Sequence, residues 1–177
     1  MKRLNGFSTI VMSCLAACSL TGAAAAAEGG TYEMGAYTNE PGGSDIVKGD
    51  YAAAIAAAVH VPTYNSERSL IAATNLCVAY TVTRSFEKAA PTCDRALSLA
   101  MAADSSVRRA GSTHEATIRA LTNRGVLRAV RGDATGAAHD FRAAADLRGA
   151  WQAPSRNLAY LQAVAADRVA RAGSATD

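Results

Sequence analysis

The feature that most constrains this chain is a spacing of residues that occurs more than once. From Gly125, Ala137 follows twelve residues on, Phe141 sixteen on and Ala144 nineteen on. From Cys77 the same steps land on Ala89, Cys93 and Ala96. An asparagine stands two residues before each origin, at Asn75 and Asn123, and again at Asn157, two before Ala159, which lies 34 beyond Gly125. Upstream, GDYAAAIAAAV matches GDATGAAHDFRAAA with Gly49 aligned to Gly132. A unit of this length cannot bury its apolar face alone, so it forms part of an array in which neighbours cover one another. Small side chains at Cys77, Gly125, Ala89 and Ala137 suit antiparallel helices that cross closely. The larger Phe141, Tyr80 and Leu121 then fill the space between units.

Composition supports helices over sheets. Half of the 177 residues are hydrophobic, yet only 6% are aromatic and alanine carries much of the rest. Alanine is the best helix former and lets backbones approach. No sustained run of alternating Val, Ile, Tyr and Thr marks a strand. The expected class is all-α, in one domain, as the length implies.

The segments NLCVAY (residues 75–80) and NRG (123–125), the latter followed by GDATGAAHDF, are the most specific part of the pattern. They resemble the tetratricopeptide repeat, a 34-residue helix–turn–helix unit. The resemblance spans about residues 45–166. It departs from the family at the tryptophan position, held by Ala73 and Leu121, at the closing proline, absent from both copies, and at Arg128, which replaces the second tyrosine. It implies a short α-solenoid of antiparallel helix pairs ended by a C-terminal capping helix. The expected layout is a half repeat over 44–60, a repeat over 70–103, an insert over 104–117, a repeat over 118–151 and a cap over 152–171, with a disordered tail at 173–177. Pro91 falls inside an expected helix, where proline removes a donor and tends to kink.

In this family the first helix of each repeat lines a concave groove that takes a peptide or a partner helix. The resemblance places Thr74, Asn75, Val78, Arg119, Thr122, Asn123, Val126, Arg156, Asn157 and Tyr160 on that side. An asparagine carboxamide both donates and accepts, so Asn75, Asn123 and Asn157 would form a ladder for a peptide backbone. The family's clamp for a C-terminal carboxylate needs a lysine where Thr74 stands, so that specificity is not expected. The repeat also places Cys77 and Cys93 on facing helices of one hairpin. A disulfide there would close a 16-residue step, worth roughly 3 kcal/mol from loop-closure entropy; the alternative is two small buried thiols.

The first 27 residues read as an export signal: a charged start at Lys2 and Arg3, an apolar middle, then small residues. AAAAAE offers cleavage before Glu28, releasing a soluble periplasmic protein. LAAC, ending at Cys18, resembles a lipobox and would give a membrane-anchored lipoprotein instead. Residues 28–43, punctuated by glycine and proline, are expected to form a flexible linker. Lys2 and Arg3 aside, 16 basic residues face 15 acidic ones. That balance lacks the basic footprint of a nucleic-acid binder. The excess is local: residues 104–177 carry 11 arginines against seven acids.

His60, His114 and His139 sit in separate elements, so neither a metal site nor a cofactor is expected. No G-x-S-x-G, H-E-x-x-H or phosphate-loop pattern occurs, and an enzyme is not expected. Arg124, Arg128 and Arg131 form a stripe on one helix. It is either a surface for an acidic partner or a solvated face with Arg124 paired to Asp140. The functional expectation is an exported adaptor that binds a protein or peptide in its groove, with a structural subunit docking by its end helix as the alternative.

Overall fold

The structure, a computed structural model, describes residues 7–12, 31–61, 66–106, 114–147 and 149–174. Over these residues the chain is mostly helical and all-α in class. Two strands, β1 (Phe7–Met12) and β2 (Tyr32–Tyr37), precede seven helices: α1 (Gly43–Lys48), α2 (Tyr51–Val59), α3 (Ser66–Val82), α4 (Phe86–Ser106), α5 (Glu115–Val130), α6 (Ala134–Ala145) and α7 (Ala153–Ser174).

One local device is used twice. Gly49 and Gly132 adopt left-handed backbone, with φ of 79° and 88°, which costs glycine little because it has no Cβ. Asp50 and Asp133 follow as N-caps, accepting from the amides of Ala53 at 3.0 Å and Gly136 at 2.8 Å. Each satisfies a donor that the first helical turn leaves free. This is the physical content of the Gly-Asp match between the two segments. Gly49 thus divides the expected half repeat over 44–60 into two helices, α1 and α2. The turn from α3 to α4 reaches a similar conformation with Arg84, at φ 57°.

The helices pack in sequence order from α2 to α7, and α3, α5 and α7 all reach β2. Where α3 meets α4, Cys77 and Cys93 are joined as a disulfide, with Cα atoms 4.8 Å apart. The corresponding place between α5 and α6 holds Gly125 against Phe141. A Cβ on Gly125 would stand 2.5 Å from the Phe141 ring. The sixteen-residue step therefore solves the same close crossing in two ways, a covalent bridge in one hairpin and a ring over a bare backbone in the other. Both solutions are fully buried.

Helix α4 continues through Pro91 to Ser106. Pro91 lies early in the helix on an exposed face, so it interrupts the ladder at one bond and leaves the buried side untouched. Helix α5 begins at Glu115, inside the stretch expected as an insert, and the Asp104 carboxylate accepts from the Thr117 amide at 3.1 Å. The last helix runs to Ser174, three residues beyond the expected end of the cap.

The main departure lies before the helices. Residues 28–43 are not linker throughout: Tyr32–Tyr37 is a strand and Gly43 opens α1. Tyr32, Met34 and Ala36 form a period-two apolar pattern, and Met34 and Ala36 are completely buried. Six residues were too few to stand out among glycines, and burial against three helices makes the segment a strand. Residues 7–12, expected in the apolar middle of the export signal, pair antiparallel with it, Phe7 opposite Tyr37 and Met12 opposite Tyr32. Cys18, the boundary before Glu28 and residues 175–177 lie outside the described residues, whereas residues 173 and 174, expected in a disordered tail, belong to α7.

Candidate functional site

The asparagines expected to line a groove for a partner's backbone are instead bonded to the chain's own β2. Asn157 accepts from the Glu33 amide at 2.8 Å and donates to the Glu33 carbonyl at 2.8 Å. Asn123 makes the same pair with Gly35, both at 2.8 Å. Asn75 accepts from the Tyr37 amide at 2.8 Å and donates to the carbonyls of Tyr37 at 3.2 Å and Pro41 at 3.1 Å. Each carboxamide must point one way to satisfy both bonds, so the strand itself fixes the orientation of the side chain. The partners are alternate residues because a strand presents both backbone groups of every second residue to the same edge. β2 thus crosses the helices in reverse order, Glu33 on α7, Gly35 on α5 and Tyr37 on α3.

The asparagines lie one or two turns inside their helices, and all three are almost wholly buried. Unpaired, each would carry the desolvation penalty of a buried amide. Thr74 and Thr122, beside two of them, do not reach the strand. Their hydroxyls donate to carbonyls one turn back, at Leu70 and Ile118. Val78 and Val126 belong with Met34 to the main apolar core beneath β2. Tyr160 meets Tyr32 edge-on at 4.8 Å, and Tyr32 lies 6.2 Å from the Phe141 ring, nearly parallel to it.

Two arginines complete the enclosure. Arg119 donates to the Ala36 carbonyl at 2.9 Å and sits 4.3 Å from the Tyr37 ring centre. Burial raises the Tyr37 phenol above its ordinary value, against the opposing pull of Arg119. Arg156 grips Glu33 through both carboxylate oxygens, at 2.5 and 2.7 Å. The Glu33 carboxylate keeps Arg156 more firmly protonated. Gly35 has no room for a side chain, since a Cβ would lie 2.9 Å from both Arg119 Cγ and Trp151 Cη2. Tyr32, Glu33, Trp151 and the strand itself were missed by sequence reading. The signals for them were the apolar parity of 32, 34 and 36 and a glycine in the middle of that run.

The arginine stripe on α5 resolves into an ion-pair cluster away from β2. Asp140, wholly buried, accepts from Arg124 at 2.8 and 2.9 Å and lies 2.9 Å from Arg128. Arg124 also meets Asp94 of α4 at 3.0 Å. Hydrogen bonding to Asp140 raises the Arg124 pKa further. The cluster joins both hairpins, and two of the three arginines are engaged within it. Among the described residues, no three His, Cys, Asp or Glu side chains converge on a metal position. No helix among them is long and apolar enough to cross a membrane.

Comparison with protein-family models, curated proteins and solved structures gives no match to this chain.

Proposed function

We propose that this chain is an exported, non-catalytic scaffold of tetratricopeptide type that binds a protein or peptide partner on the side formed by α3, α5, α7 and β2. The recurring small-residue crossings and the two capped Gly-Asp turns support the repeat reading. The observation that carries the binding role is the asparagine ladder: three carboxamides at equivalent positions hold alternate residues of an extended backbone. That side is built to hold an extended backbone by main-chain hydrogen bonding, and the backbone it holds is β2, which becomes part of the surface offered to a partner. With β2 in place, the partner meets a groove whose floor is already covered.

A second reading has its own support. The later half of α7 is largely exposed, and Val169 is 74% accessible, which suits a subunit that docks by its end helix. Photo-crosslinking in a bacterial host separates the two. A photoreactive residue replacing Tyr37 or Arg156 should trap a partner, and one replacing Val169 should not. Crosslinks from Val169 alone would overturn the groove assignment in favour of the end helix. The intact mass of the exported protein gives the route: a chain beginning at Glu28 is a soluble periplasmic protein, and one beginning at a lipidated Cys18 is a membrane-anchored lipoprotein.

A further inference from the structure

β2 has two edges, and the ladder uses one. Glu33, Gly35 and Tyr37 turn their amides and carbonyls to the asparagines. By the alternation of a strand, Tyr32, Met34 and Ala36 turn theirs to the opposite edge. Arg119 takes part of the Ala36 carbonyl there, which leaves that oxygen a second lone pair. The only strand seated on this edge among the described residues is β1, antiparallel and in register over six residues. Its sequence, FSTIVM, is rich in β-branched and aromatic residues that favour an extended, paired strand.

We propose that this outer edge of β2 is a strand-addition site, which takes an extended apolar segment of a partner polypeptide in antiparallel register. Residues 7–12 occupy it in the full-length chain. This rests on the reading above that partners bind on the groove side. It also rests on the export reading, in which removal of the first 27 residues uncovers the edge. A strand fixed by asparagines on one side is a rigid template on the other, so a partner meets an edge that is already ordered. The added-strand residue opposite Met34, where Ile10 stands, shares the face that turns into the core and should be apolar, and the one opposite Ala36, where Ser8 stands, should be small. The one opposite Gly35 shares the face of Arg119 and Trp151 and should be small or polar.

The register gives a parity test. Backbone amides opposite Ala36 and Met34 point at β2, and the amide opposite Gly35 points away. The probe is a labelled synthetic peptide of residues 5–13, titrated by fluorescence anisotropy. The protein is the full chain carrying Ser8→Pro and Ile10→Pro, so that its own strand cannot pair. Saturable binding is expected, with new exchange protection of the Met34 and Ala36 amides. N-methylation of the probe at Ile10 should weaken binding at least tenfold, and N-methylation at Thr9 should change it less than twofold. The unaltered full chain should bind at least tenfold more weakly, because its own strand competes at high effective concentration. Protein exported and processed by a bacterial host gives a second preparation for the same titration.

Absence of binding to both preparations overturns the inference. So do equal losses from the two methylations, which would mean non-specific apolar adhesion. A variant that dimerises without peptide would give the edge to a second copy and overturn it too. None of these outcomes alters crosslinking from Tyr37 or Arg156, so failure here is distinct from failure of the groove assignment.

Discussion

Replacing Asn123 by alanine tests the central element of the site. Asn123 is 1% exposed and makes two 2.8 Å hydrogen bonds to Gly35, itself buried. A typical hydrogen bond contributes about 1 kcal/mol net, so losing two sets a floor of about 2 kcal/mol. The Gly35 amide and carbonyl would then stay buried without their partner, and each such group adds about 1–3 kcal/mol. Water entering the vacated space limits that penalty, and the expected total is about 2–5 kcal/mol. Urea unfolding of the oxidised protein, followed by circular dichroism, measures it as a shift in midpoint at constant slope. Amide exchange should show Gly35 losing protection before Glu33 and Tyr37. Asn157→Ala should cost less, about 1–2 kcal/mol, because Glu33 is only part-buried and keeps Arg156. Asn123→Asp sharpens the test: its carboxylate can accept from the Gly35 amide but faces the Gly35 carbonyl with no proton to donate. The folded pKa of that carboxyl would be raised. The stability it lends is then present below about pH 4 and lost as pH rises through the folded value. A cost under about 0.5 kcal/mol for Asn123→Ala, with Gly35 exchange unchanged, would refute the claim that the ladder holds the strand.

Cys77→Ser with Cys93→Ser, or reduction, should cost about 3 kcal/mol in equilibrium unfolding, and intact mass should rise by two hydrogens on reduction of the wild type. Gly125→Ala should cost about 1–3 kcal/mol, because the new methyl would collide with the buried Phe141 ring; a neutral result would show that the ring has room to move. Arg84→Gly should stabilise by about 0.5–1 kcal/mol, because Arg84 holds a left-handed backbone conformation that glycine adopts without a Cβ clash. Stability should fall above about pH 10, because the unfolded chain ionises Tyr37 before the folded one does. Tyr37→Phe should flatten that alkaline slope relative to wild type, and an identical slope would remove Tyr37 as its source.

Much of the helical body was legible in the sequence, because its signals are local. A Gly-Asp turn needs only a left-handed backbone and a cap, and both operate within four residues of chain at Asp50 and Asp133. The repeat of small residues places the close crossings, because only a side chain as small as glycine or cysteine lets two helix backbones meet. The resemblance to the tetratricopeptide repeat implied that Cys77 faces Cys93 and that three asparagines share one side. It could not show what the asparagines hold. Their partners lie 38, 88 and 124 residues away, in a stretch whose glycines and prolines read locally as loop. Whether such a segment becomes a strand depends on the burial of Met34 and Ala36 and on six hydrogen bonds supplied by three helices. Those terms exist only once the helices have packed. The sequence by itself determined that the chain is helical and where its close crossings fall; tertiary structure alone decided that the side formed by α3, α5 and α7 is covered by the chain's own strand, since that choice is made by long-range burial rather than local propensity.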